Sequence, residues 1–302
     1  MNVLLTGASG FIGSALTSRL SKSGHRVVSL RRASVGGEAR PTWNPAVGQI
    51  QLEPAGALDA VVHLAGENIA QRWTTAAKQR IRASRVDATR LLCEALGRLP
   101  QPPRVLVCAS ATGFYGDRGD EVLDESSGPG TGFLPEVCQA WEASAGAARQ
   151  RGIRVVHLRL GIVLARHGGA LAKMLPVFRL GCGRRLGTGR QYWSWIALDD
   201  LLRVVERALQ DERLSGAVNT VSPEPVTNAD FTKALARALR RPAILPMPAF
   251  AVKLLFGEMG RAALLASARV RPTRLLEGGF EFRFPELDAV FKQELDQLPQ
   301  QS

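Results

Sequence analysis

Glycines stand three apart in Thr6-Gly7-Ala8-Ser9-Gly10-Phe11-Ile12-Gly13, directly after the apolar run Asn2-Val3-Leu4-Leu5 and before residues with helical spacing. That pattern can seat a diphosphate. A glycine at the first position permits a tight turn, one at the second lets a phosphate approach the backbone, and one at the third lets helix pack on strand. The helix start then offers free N–H groups and a partial positive charge. Ser9, Phe11 and Ile12 complete the loop and are read, with Gly7, Gly10 and Gly13, as diphosphate contacts. A plain tight turn is the competing reading. The position at the first strand–helix junction favours the nucleotide.

A second chemical signal follows at Ser29-Leu30-Arg31-Arg32. An acidic residue about twenty positions after such a loop would take a ribose 2′-hydroxyl. Two guanidinium groups suit a 2′-phosphate instead, through charge-assisted bonds. The cofactor expected is therefore NADP(H), against the alternative that both arginines are simply solvated. Leu64, Ala65 and Gly66 end a later strand and should pass close to the ribose and pyrophosphate. Arg80 and Arg85 in the following helix, and Arg159 just past the strand at 153–158, are candidate contacts to phosphate or nicotinamide, or else surface arginines. Residues 181–190 interleave glycine with arginine and precede Gln191-Tyr192-Trp193-Ser194-Trp195. Such a loop suits an anionic or sugar-like ligand; a solvated loop beside packed tryptophans is equally compatible.

The elements that must position these groups alternate. Strands are expected at 2–6, 26–30, 59–64, 104–109, 153–158 and 218–221. Helices are expected at 11–22, 74–99, 134–151, 199–209 and 229–239, the last capped by Asn228. Shorter helices are expected near 251–256, 261–268 and 285–295. Strands that alternate with helices and read as near-continuous apolar runs indicate a parallel sheet covered on both faces. The fold class is thus α/β, a Rossmann-type doubly wound parallel sheet with a smaller C-terminal α/β lobe. Residues 1–165 should form the NADP-binding domain, its sheet completed by parts of 190–225, and 166–302 mainly a substrate or partner lobe.

Composition narrows the class. The net charge is +12, and of 39 basic residues only six are lysine, scattered along the chain. That is a solvated basic surface, so no nucleic-acid partner is expected. The four cysteines form no C-x-x-C and no zinc spacing, so no metal site is expected. No basic, then apolar, leader opens the sequence, and a cytoplasmic location follows as the expectation. The most apolar late stretch, 243–256, holds Pro246, Pro248 and Lys253 and is too short to cross a bilayer. No membrane partner is expected.

The loop at 6–13, the strand end His63-Leu64-Ala65-Gly66-Glu67-Asn68-Ile69 and the segment Ser110-Ala111-Thr112-Gly113-Phe114-Tyr115-Gly116 resemble the extended short-chain dehydrogenases/reductases. With Gln139-Ala140-Trp141-Glu142, Lys173-Met174-Leu175-Pro176 and Gln191-Tyr192-Trp193-Ser194-Trp195-Ile196, the chain resembles their atypical, NAD-dependent-epimerase-like branch. A tail at 227–295 is similar to that branch's C-terminal module. The resemblance implies an NADP-type cofactor, a possible homodimer through the two long helices flanking the Ser110 strand, and a Ser or Thr working with a Tyr-x-x-x-Lys pair. In that pair Lys lowers the Tyr pKa and Tyr moves the proton.

Ser110 and Thr112 supply the Ser/Thr half. Counting from Glu142, the Tyr and Lys positions hold Leu134 and Cys138, and the only tyrosines are Tyr115 and Tyr192. Tyr115 is then a candidate proton donor or a packed ring. Two readings follow. One is an NADP(H)-dependent oxidoreductase or epimerase acting on an unidentified small molecule, with the arginines favouring an anionic one. The other is a catalytically silent cofactor-binding or redox-sensing regulator, since relatives have been linked to cell or plastid division.

Overall fold

Val3, Leu4 and Leu5 are all fully buried although successive strand residues face opposite ways. A strand of that kind must be covered on both faces. The computed structural model describes residues 1–32 and 40–295. It opens with β1 (Asn2–Thr6), α1 (Phe11–Lys22), β2 (Arg26–Arg32), β3 (Thr42–Asn44), β4 (Gln49–Gln51) and β5 (Ala60–His63). Next come α2 (Thr75–Gly97), β6 (Val105–Ala111), α3 (Phe133–Ala143), α4 (Gly146–Gln150) and β7 (Arg154–Leu160). After α5 (Gly169–Arg179) and α6 (Leu198–Gln210), β8 (Gly216–Thr220) closes the sheet.

The spatial order is β8-β7-β6-β5-β1-β2-β3-β4. All pairs are parallel except β3 with β4. The chain runs outward from β1 to β4, then returns to β5 on the other side of β1. The loops after β1 and β5 therefore diverge, which opens a crevice at their carboxyl ends. Val3, Leu5, Val62, Val107 and Val156 pack on Leu16 and Leu20 of α1 and on Leu201 and Val205 of α6. Leu4, Val61, Leu106 and Val155 pack on Leu92 and Leu96 of α2 and Ala148 of α4.

A second core joins Leu171, Leu175, Trp193, Trp195 and Phe231 to Val290 and Phe291. Apart from the two tryptophans, which lie in short strands, these come from α5, α7 (Asn228–Ala238) and α10 (Leu287–Leu295), with α8 (Ala249–Met259) and α9 (Thr273–Glu277) between the last two. Ile162–Ala165 pairs in parallel with Trp195–Ala197, tying this part to the end of β7.

Three sequence expectations change. The helix expected over 134–151 is two helices, α3 and α4, with Ser144 Oγ turned back to donate to the Trp141 carbonyl at 2.6 Å. Thr227, not Asn228, caps α7, its Oγ1 accepting from the Asp230 amide at 3.1 Å. Asn228 is buried and its Oδ1 accepts from the Leu186 amide at 2.8 Å, a tertiary contact that local sequence does not announce. β3 and β4 were not foreseen, because three-residue strands give too little periodicity to read.

Two histidines are buried within the sheet. Thr6 Oγ1 accepts from the Leu64 and Ala65 amides at 3.1 and 3.2 Å, so its proton goes to His63 Nδ1 at 2.6 Å. His63 is then the Nε2–H tautomer and donates to Thr89 Oγ1 at 3.0 Å. His157 Nε2 accepts from Arg149 at 2.6 Å. Burial pushes both imidazoles down to about 4, with Arg85 adding to the effect at His63.

Between pH 6.5 and 4 the unfolded chain therefore binds more protons than the folded one. Stability from these neutral rings is complete above 6.5 and is lost as pH falls toward 4. Each should remove ~2 kcal/mol between pH 7 and 5. Denaturant melts at the two pH values should show this loss, and His157→Gln, which keeps an acceptor for Arg149, should reduce it. An unchanged loss in that variant would refute the assignment.

Candidate functional site

Gly7 sits at φ +71°, and a Cβ there would lie 2.9 Å from the Ala65 nitrogen and Leu64 carbonyl carbon. A Cβ on Gly13 would run into the Gly7 carbonyl oxygen. The Gly10 amide donates to that same oxygen at 2.9 Å, which closes the turn. Gly10 caps α1 without a side chain, and the first turn of α1 contains no acidic residue. Its leading amides have no acceptor within the helix and remain available to an anion. A bare, glycine-walled helix start of this kind fits a dinucleotide diphosphate.

A cavity of about 620 Å³ runs from this turn across the sheet edge. Gly7, Gly10, Phe11, Ile12, Gly13, Leu64, Ala65 and Gly66 line one end. Arg85, Ser110 and Thr112 lie further along the wall. Ser9 belongs to the turn but is exposed and lies outside that lining. Arg31 and Arg32 are exposed at the tip of β2. Thr6 pairs with Leu30, so Arg31 is level with Gly7. Neither guanidinium has a partner among the described residues.

The three remaining arginines separate. Arg85 stacks over Trp141 at 5.1 Å, donates to the Glu67 carbonyl at 3.1 Å, and keeps its guanidinium against Gly66. Arg80 is exposed beside Glu67 at 3.7 Å and does not line the cavity. Arg159 departs from the expectation of a cofactor contact. It is 5% exposed and gives two bonds to Glu142, both at 2.9 Å, with its guanidinium 3.5 Å from the Phe114 ring centre.

Tyr115 changes in the same way. Its ring is fully buried, its hydroxyl donates to Asn219 Oδ1 at 2.7 Å or the Asp124 carbonyl at 2.8 Å, and it accepts from Arg159 at 3.0 Å. Burial raises its pKa despite Arg159. It lies behind the cavity wall and is the packed ring, not a proton donor to that cavity.

Ser110 is 2% exposed and donates to Glu142 Oε1 at 2.7 Å. Burial would push the Glu142 carboxyl up, but the bonds and charge of Arg159 hold it below its ordinary value. Ser110 thus offers the cavity a lone pair, with its proton already committed. Leu134 and Cys138 both line the cavity opposite, against Gly113. Burial drives the Cys138 thiol up to about 12, so it stays neutral.

Sequence reasoning used Glu142 only as an anchor. Its role shows once the register sets Ser110 beside Arg159. It also missed Gly169 and Ala170, which line the cavity near Phe11. Tyr192, Trp193 and Ser194 form part of the lining from the second lobe.

The fold and this cradle define a dinucleotide-binding α/β protein of the extended short-chain dehydrogenase kind. The chain belongs to the NAD dependent epimerase/dehydratase family, whose pattern matches residues 3–220, and a domain of unknown function (DUF1731) matches residues 247–294. It is 44% identical over 281 residues to an epimerase family protein, Mb2239, of Mycobacterium bovis, covering 93% of each chain. It is 38% identical over 299 residues to the human epimerase family protein SDR39U1, covering 97% of this chain and 99% of that one. The crystal structure of that human protein (isoform 2) with NADPH superposes with a TM-score of 0.89 over 99% of this chain and all of that one, at 36% identity. A nucleoside-diphosphate sugar epimerase from Corynebacterium glutamicum matches with TM-score 0.78 and 35% identity, over 97% of this chain and 57% of that one.

Glu142→Ala leaves the Arg159 charge buried without its carboxylate, which should cost ~3–5 kcal/mol of stability. A denaturant midpoint close to the parent's would show that Arg159 finds another partner.

Proposed function

We propose that the chain binds NADP(H) in the glycine cradle and acts as an oxidoreductase or epimerase on an anionic small molecule. Nucleotide sugars are the class that fits. The observation that carries this reading is the Arg31–Arg32 pair, without a partner among the described residues and level with a helix start bare of acidic groups. The human relative's structure with NADPH supports it, as does the sugar-nucleotide name of the Corynebacterium glutamicum relative.

When bound, the nicotinamide group would accept or deliver a hydride. The chain's own residues orient the substrate. Ser110, its proton held by Glu142, accepts a hydrogen bond from a substrate hydroxyl. The Thr112 hydroxyl on the same wall has no partner among the described residues and is free to donate. Arg85 supplies a fixed positive charge beside Gly66. The glycine- and arginine-rich loop at 181–190 leads into Tyr192, Trp193 and Ser194 of the cavity lining and suits the anionic end of the substrate.

A second reading has its own observation. By the family resemblance Leu134 and Cys138 take the Tyr and Lys positions of a relay; both line the cavity, and neither moves a proton near neutral pH. A cofactor-binding regulator needs no relay.

Titration calorimetry with NADPH and NADH tests the cofactor choice. Arg31→Ala/Arg32→Ala should weaken NADPH by about ten- to a hundredfold and change NADH little, since charge-assisted bonds to the 2′-phosphate are lost. Equal losses for both nucleotides would remove the argument. A nucleotide-sugar screen following NADPH absorbance, with Ser110→Ala as control, separates the two readings. Turnover that Ser110→Ala abolishes supports the enzyme, and tight NADPH binding without turnover supports the regulator.

A further inference from the structure

The apolar stretch 243–256 has no part in the cofactor reading. Pro246–Met247 pairs with Arg185–Leu186, and the Gly187 amide donates to the Met247 carbonyl at 2.8 Å, so the stretch lies against the 181–187 loop. α8 follows directly. It turns Val252 and Met259 inward. It leaves Phe250, Leu254 and Leu255 exposed to 72%, 79% and 64%. Ile244 is exposed to 86%, and Leu180, at the end of α5 beside this loop, to 79%. Single exposed apolar residues are ordinary, whereas a cluster this dense on adjoining segments marks a docking face.

The charges around it have one sign. Segments 173–190 and 239–257 contain no Asp or Glu. Arg179, Arg184, Arg185, Arg240, Arg241 and Lys253 are all exposed there. None of them is ion-paired among the described residues, while Arg19, Arg207 and Arg237 elsewhere are. A two-fold contact between two copies through this face would set these cations against their own symmetry mates. The surface that meets an apolar centre with a cationic surround is both apolar and anionic.

We propose that this face docks on an anionic phospholipid surface, with α8 lying in the interfacial plane and the arginines meeting lipid headgroups. Apolar side chains entering the headgroup–acyl boundary, combined with basic residues near anionic lipid, give reversible, salt-sensitive attachment. No helix among the described residues is long and apolar enough to cross a membrane, and lying on a bilayer needs none. This revises the expectation that no membrane is a partner, and it is independent of the cofactor reading.

The full chain is co-sedimented with phosphatidylcholine vesicles and with mixed phosphatidylcholine/phosphatidylglycerol vesicles. Binding is expected to the mixed vesicles only, falling as salt rises. Phe250→Glu/Leu254→Glu should lower the vesicle partition coefficient by about tenfold or more, because both the apolar insertion and the charge match are lost. Arg179→Gln/Arg241→Gln/Lys253→Gln should lower it independently. All of these positions are exposed, so melting temperature and NADPH affinity should match the parent.

Three outcomes would overturn the proposal. One is no binding to anionic vesicles at low salt. Another is Phe250→Glu/Leu254→Glu binding as the parent does, which leaves only diffuse charge attraction. The third is a dimer in sedimentation velocity that the same variant dissolves, which would make the face a contact between copies.

Discussion

The end of β1 must lie against the end of β5 closely enough for backbone to touch backbone. Gly7 meets the Leu64–Ala65 peptide with no room for a Cβ, and the Thr6 hydroxyl accepts from the Leu64 and Ala65 amides. The diphosphate turn is therefore held from the side, by the neighbouring strand, as well as by its own glycines. The hydrogen-bond chain continues from Thr6 through His63 to Thr89, where Trp141 Nε1 also donates at 3.0 Å. β1, β5, α2 and α3 are thus tied by neutral, fully buried groups. Arg85 stacks on the far end of that chain, so the cavity's fixed cation is positioned by the same framework.

On the other side of the cavity the polar chemistry is turned inward. Ser110, Glu142, Arg159, Tyr115 and Asn219 form one hydrogen-bonded row across β6, β7 and β8, and the register of those strands sets it. The bidentate Arg159–Glu142 pair is buried, so its value lies less in net stability than in holding Ser110 to one orientation. The wall facing that row is Leu134 and a neutral Cys138. The site thus combines a well-built nucleotide cradle with an apolar surface where the family resemblance would put a proton relay. That contrast keeps both the enzyme and the regulator readings in view.

The two cores carry different duties. The sheet and its covering helices fix the cradle, while the Trp193–Phe231–Phe291 core carries the lobe that lines the cavity from across it. The link between them is short. The Gly161 amide donates to Thr220, the Ile162 amide to Ser194, and a Cβ on Gly161 would strike the Ser194 carbonyl. Tyr192 and Trp193 precede that contact directly, which is how a distant part of the sequence reaches the site.

By itself the sequence determined what is local. Glycine spacing, strand–helix alternation and the paired arginines after β2 were all legible. Each depends only on residue type at a fixed offset along one element. The tertiary structure decided what depends on lateral register and burial. Arg159 pointed to a ligand in sequence, yet it stands beside Ser110 on the next strand and is neutralised by a carboxylate from α3. Tyr115 and Asn228 went inward for the same reason. A strand or turn residue's partners come from elements distant along the chain, and no one-dimensional pattern states which of them will be within hydrogen-bonding reach.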